Sequence, residues 1–167
     1  MKDGEVTLKV PALEDASSVL KLLRQINNET SVVMIPHLDK ISVADEEVSL
    51  EEINERSDCF VLLAVLNQVP VGIVTITKLD GQDNAGELGV AVLKKYWSQG
   101  IGSLLIDEAI YWFENFSSIE HLVLDVFSDN QRAIHLYEKF NFVKTGQVEE
   151  KDSNGKKRLA WLMEYCG

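Results

Sequence analysis

In the stretch LGVAVLKKYWSQGIGSLLIDEAIYWF, residues 88–113, an apolar strand runs through a short basic and aromatic bend into an amphipathic helix opened by Gly100 and Gly102. A helix N-terminus leaves about four N–H groups without intrahelical partners and carries roughly half a positive charge. The chemistry such a bend offers is recognition of an anion, and of a phosphorylated ligand in particular, by main-chain atoms. Two carboxylates flank it in sequence. Glu87 begins the strand that leads to the bend, and Asp125 sits among apolar neighbours in HLVLDVF, where desolvation raises a carboxyl pKa towards the range of a useful base. Each also reads as a strand-end carboxylate that pairs with a lysine or faces solvent. Tyr137 shares a helical stripe with Ala133, Leu136 and Phe140, which by periodicity makes it an amphipathic aromatic closing that stripe.

Other chemistries lack their anchors. There is no G-x-S-x-G elbow and no P-loop lysine motif. His37, His121 and His135 are scattered without partners at metal-ligand spacing, so no metal is expected. Cys59 opens an apolar run, where a thiol has a raised pKa and low reactivity.

The elements that must position these residues follow from periodicity and turn chemistry. Residues 5–10 alternate as a strand, and 16–28 carry Ala16, Val19, Leu20, Leu23 and Ile26 at helical spacing. Ser49 and Glu52 form a capping box, with Val48 and Ile53 as a hydrophobic staple, so a short acidic helix is expected from Leu50. Strands are expected over 59–66 and 71–79 around the turn Asn67, Gln68, Val69, Pro70, and again over 87–92 and 121–127. Ser128 with Gln131 reads as the cap of the next helix. Residues 142–148 and 157–165 close around Asn154 and Gly155 as a hairpin. The unit 87–127 is expected to be a right-handed crossover joining parallel strands, with the glycine bend at their carboxyl ends.

YWSQGIGSLL followed by LVLDVFSDNQRAIHLYEKFNF resembles the GNAT superfamily of acetyl-CoA-dependent N-acetyltransferases, and the resemblance covers nearly the whole chain. Gly100 and Gly102 match the first signature, in which Trp97 stands where the family has Arg or Gln. Asn130, Ala133, Leu136 and Tyr137 match the second. The resemblance implies a mixed α/β fold: a mostly antiparallel sheet of six to seven strands flanked by about four helices. It implies acetyl-CoA as cosubstrate, with the pantetheine arm on the backbone of Val90, Ala91 and Val92. The diphosphate would lie in the bend formed by Trp97, Ser98, Gln99, Gly100, Ile101 and Gly102, largely on main-chain N–H groups that Trp97 supplies as well as Arg or Gln. Asn141 replaces the usual glycine after the helix, as the residue next most tolerant of a left-handed backbone.

The implied reaction is acetyl transfer from acetyl-CoA to a primary amine by direct attack. By resemblance Tyr137 is the acid that assists the departing thiolate. The base is Glu87, Asp125 or water, with Glu87 favoured because its longer side chain reaches farther. Asn130 either contacts the cofactor arm or belongs to the helix cap. The resemblance locates acceptor choice in residues 27–58, where Asp39, Asp45, Glu46, Glu47, Glu51, Glu52, Glu55 and Asp58 outnumber Lys40 and Arg56. Such an excess favours a polycationic acceptor, or else is a solvated helix face. A non-catalytic acyl-CoA binding or sensing module is the alternative class.

Composition bounds the rest. A chain of 167 residues is most simply one domain spanning 1–167, long enough to bury about 70% of the surface its unfolded form exposes. A net charge of −11 and a pI near 4.7 argue against nucleic acid, whose binders present a basic face. No run approaches the roughly 18 apolar residues of a spanning helix, and MKDGEVTLKV has no signal-peptide apolar region. With only Cys59 and Cys166, both read as reduced thiols, the expectation is a soluble cytoplasmic protein, with a homodimer among its expected assemblies.

Overall fold

Apolar residues at helical spacing build α1 (Ala16–Glu29), which buries Ala16, Val19, Leu20, Leu22 and Ile26. The computed structural model describes residues 5–29, 40–81, 83–152 and 154–167, and places a short strand, β1 (Val6–Lys9), before that helix. His37 and Asp39 lie outside the described residues.

The next helix corrects the expectation from Ser49 and Glu52. α2 spans Val43–Glu55 and is capped at Ser42, whose Oγ accepts from the Asp45 N–H at 3.1 Å while the Ser42 N–H donates to Asp45 Oδ2 at 3.0 Å. Two Ser-x-x-acid patterns stand in tandem, and the upstream one starts the helix. Ser49 and Glu52 therefore lie inside it, and the added turns carry Leu50 into the core.

β2 (Phe60–Leu66) and β3 (Val69–Lys78) form a hairpin whose turn is Asn67 and Gln68 alone, both left-handed at φ 52° and 67°. Val69 and Pro70 thus belong to the strand and not to the turn. A two-residue turn of this hand follows the twist of its strands. Pro70 is tolerated because it sits where the register shifts between Ala64 and Val65, at a bulge that asks for no N–H donor.

β4 (Ala85–Val92), α3 (Ile101–Asn115), β5 (His121–Phe127), α4 (Gln131–Lys139), β6 (Phe142–Lys151) and β7 (Lys157–Tyr165) complete the chain. The cap of α4 is Asn130 rather than Ser128: its side chain accepts from the Ala133 N–H at 3.3 Å, while Gln131 Nε2 donates to the Ser128 carbonyl. Asn141 ends α4 in the left-handed conformation, φ 69°, as its substitution for glycine requires. β6 runs three residues past Val148, to Lys151. The hairpin beyond it is anchored by buried Asp152, which accepts from the Asn154 and Lys156 N–H groups at 2.9 and 3.1 Å.

The seven strands lie in the order β1-β2-β3-β4-β5-β7-β6, and every neighbouring pair is antiparallel except β4 and β5. With four α-helices among the described residues, this is the mixed α/β architecture expected. α3 crosses β2, β3 and β4, burying Leu105 and Ile106 completely against a core that includes Leu63, Val74 and Leu122. That packing leaves the N-terminus of α3 at the carboxyl end of β4.

Candidate active site

The parallel pair β4–β5 is hydrogen-bonded only where Ala85, Gly86 and Glu87 meet His121, Leu122 and Val123. Beyond that the two strands part. Among the described residues, one edge of β4 has no strand neighbour from Leu88 to Val92, and the facing edge of β5 has none from Leu124 to Phe127. Backbone N–H and C=O groups on such an edge need partners. Val90, Ala91 and Val92 lie along it, half-buried.

The bend closes the end of this gap. After Val92 the chain makes a single 3-10 turn, Lys94–Tyr96, then passes through Trp97, Ser98 (φ 64°), Gln99 and Gly100 (φ 82°) into α3. A β-carbon on Gly100 would touch no protein atom, so glycine is needed there for its left-handed backbone. A β-carbon on Gly102 would stand 3.5 Å from Leu136, so that glycine faces α4. Ile101 buries its side chain and offers only its backbone to the bend. Ser42 caps α2 and Asn130 caps α4, whereas no side chain caps α3. Its first N–H groups therefore have no side-chain cap among the described residues.

Trp97 does not point into the bend. Its indole Nε1 donates to the carbonyl of Val92 at 2.7 Å, which latches the turn onto the end of β4. The ring carries the Arg132 guanidinium 4.6 Å from its centre, and Arg132 Nη2 reaches Ser98 Oγ at 3.4 Å. Arg132 had no place in the sequence reading, because nothing local connects residue 132 to residue 97.

Glu87 and Asp125 are brought together, and Glu150 joins them. Asp125 stands within hydrogen-bonding reach of both glutamates. The three lie in a cavity of about 500 Å³, walled by Val123, Leu124, Val148, Leu162 and Met163. Burial first, and then the charge of Asp125, pushes Glu87 above the usual carboxylate range. The hydrogen bond with Asp125, followed by burial and the charges of Asp125 and Glu87, pushes Glu150 up to about 7. Glu150 was missed because β6 was expected to end at Val148. Continuing its period-two alternation by two residues places Glu150 on the face of Val148.

Tyr137 is buried. Its ring meets Phe142 edge-on, with centroids 5.9 Å apart. Burial, and then the negative charge of Asp125, pushes its hydroxyl up to about 12. Asn130 uses its carboxamide oxygen in the α4 cap, leaving its NH2 group for another partner.

The acidic segment is largely accounted for by local structure. Asp45 accepts from the N–H of the α2 cap Ser42, Asp58 pairs with Arg56 at 2.7 Å, and Glu51, Glu52 and Glu55 lie on an exposed helix face. His121 pairs with Glu164 at 3.0 Å, which raises its pKa, and His135 is exposed. Cys59 is buried and Cys166 exposed. No helix among the described residues is long and apolar enough to cross a membrane.

Comparison with known proteins agrees with this geometry. The family model described as "Acetyltransferase (GNAT) family" matches residues 21–142. The chain is 23% identical to the L-amino acid N-acetyltransferase of Escherichia coli over 97% of its own length and 93% of that protein. It is 22% identical to the spermidine N(1)-acetyltransferase of Vibrio cholerae, over 92% of this chain and 88% of the other. Among solved structures, an acetyltransferase of the GNAT family from Streptococcus pneumoniae superposes with a TM-score of 0.88 at 31% identity, covering 96% of this chain and 98% of that one.

Proposed function

The chain belongs to the GNAT acetyltransferase family, and on that premise we propose that it transfers the acetyl group of acetyl-CoA directly to a primary amine, with the Glu87–Asp125–Glu150 cluster as proton acceptor and Tyr137 assisting the leaving thiolate. The observation that carries this reading is the cluster itself: three carboxylates beside the β4–β5 gap, one of them with its pKa pushed to about 7.

Acetyl-CoA fits what these residues offer. The unpartnered edge of β4 at Val90, Ala91 and Val92 suits the amides of an extended arm, and the uncapped N-terminus of α3 suits a diphosphate. When bound, acetyl-CoA supplies the thioester carbonyl that the amine attacks and the thiolate that departs.

The protein's own groups deal with protons. An aliphatic amine of pKa ~10.4 is neutral in only about one molecule in 2500 at pH 7, a deficit near 4.6 kcal/mol for a nucleophile. The carboxyl groups of Glu87, Asp125 and Glu150 line one cavity, where a cationic amine gains from acidic neighbours. Glu150, half-ionised near neutrality, then accepts the ammonium proton, directly or through water. The hydroxyl of Tyr137, at about 12, is a weaker acid than a thiol of pKa ~8.5. It therefore stays protonated and steadies the thiolate by hydrogen bonding, while the proton that completes the free thiol comes from solvent. The acceptor in this reading is a small cationic amine, in keeping with the L-amino acid and the spermidine named for the two relatives.

A thiol-release assay with acetyl-CoA across amino acids, diamines and polyamines tests the proposal. Turnover on at least one amine, rising with pH through about 7, is expected. Measurable CoA binding with no turnover on any amine would replace the enzyme reading with that of a binding module.

A further inference from the structure

We propose that Arg132, held on the face of Trp97, is the side chain that grips the diphosphate of CoA in this protein, with Trp97 acting as its positioning residue. This rests on the reading of acetyl-CoA as the cosubstrate.

Trp97 stands where the motif carries Arg or Gln, and its one polar group, the indole N–H, is bonded to Val92. It therefore brings no polar side-chain atom into the bend. What it presents instead is a ring face, 41% of the residue remaining exposed, and on that face lies Arg132 at 4.6 Å. The contact to Ser98 Oγ aims the guanidinium at the bend itself.

Two physical oddities mark Arg132 as placed for a ligand. First, the chain has four arginines: Arg56 and Arg158 pair with aspartates, and Arg24 donates to the Ile41 carbonyl. Among the described residues Arg132 has no acidic partner, although the chain carries a net charge of −11. Second, Arg132 lies in the first turn of α4, two residues after its cap, where a cation opposes the helix dipole. An anion bridging the N-termini of α3 and α4 removes both conflicts. Lys94, 5.9 Å from the same ring, adds to the local positive field. That field offsets the repulsion an acidic protein exerts on a polyanionic cofactor.

Calorimetric titration with CoA and with pantetheine, which lacks the phosphates, tests this. Arg132→Gln is expected to weaken CoA binding by about tenfold to a hundredfold, the worth of a charge-assisted hydrogen-bonded pair, and to leave pantetheine binding unchanged. Trp97→Ala is expected to weaken CoA binding in the wild-type background but to add nothing to Arg132→Gln. Trp97→Phe, which restores a ring face without the indole N–H, is expected to recover most of the loss. CoA affinity of Arg132→Gln within twofold of wild type, an equal loss for pantetheine, or additive effects of the two substitutions would overturn the proposal. Failure of the wild-type protein to bind CoA at all would instead overturn the cosubstrate reading beneath it.

Discussion

Around the bend into α3, uncapped main-chain N–H groups are joined by Lys94, Lys95 and Arg132, while on β4, ten residues before Trp97, Glu87 shares a cavity with Asp125 and Glu150. The first region owes its character to backbone conformation: Gly100 and Ser98 are left-handed, and a helix end is left open. The second owes it to side chains forced close enough to compete for protons. The contrast teaches that one β4–β5 gap can serve an anion and a cation only because different kinds of atoms line its two parts. Substitutions in the two regions should therefore fail in different ways.

The largest effect is expected at Tyr137, whose hydroxyl feels the charge of Asp125. Tyr137→Phe should lower kcat by about a hundredfold or more while CoA affinity stays within twofold. Steady-state kinetics beside equilibrium binding reads both, and an unchanged kcat would remove the hydroxyl from the reaction.

Glu150→Gln comes next. In the wild-type protein kcat should fall as pH drops through about 7, as the cluster takes up protons. Glu87 and Glu150 are both raised beside Asp125, so this limb belongs to the two glutamates together. The substitution should lower kcat about tenfold at pH 8 and flatten its pH dependence between 6 and 8. A limb that persists unaltered would shift the base to water.

Stability should move in opposite directions in the two regions. Gly100→Ala places a β-carbon in open space but on a left-handed backbone, and should cost about 1–2 kcal/mol, read as a lower denaturation midpoint. Glu150→Gln should instead stabilise the protein at pH 8. Because the folded state holds the Glu150 proton more tightly than the ordinary value of 4.5, the contribution to stability is fully present below about 4.5. It is lost as pH rises towards about 7, and the substitution should abolish that decline. A stability profile that is flat from pH 4.5 to 7 in the wild type would show that the cluster does not share protons.

Much of this was legible in the chain. The strand, bend and helix around Gly100 and the tolerance of Asn141 for a left-handed backbone were expected, whereas Glu87 and Asp125 were read as alternative bases and not as members of one cluster. Helix ends were read less well. Ser49–Glu52 and Ser128–Gln131 have the right composition for caps, but Ser42 and Asn130 hold the positions where the chain enters each helix. Identity of residue type does not decide among nearby candidates, because a cap also needs an extended backbone that only the packing of the helix imposes.

The sequence by itself determined what depends on neighbours along the chain: helical and strand periodicity, the glycine that opens α3, the turn at Asn154 and Gly155, and the family to which these patterns belong. Only the tertiary structure decided that Glu150 reaches Asp125, that Trp97 turns back to Val92, and that Arg132 lies over its ring. The Glu150–Asp125 and Arg132–Trp97 contacts join segments far apart in sequence. They are set by strand register and by the packing of α3 against α4, and a one-residue shift in β6 would send Glu150 to the opposite face of the sheet.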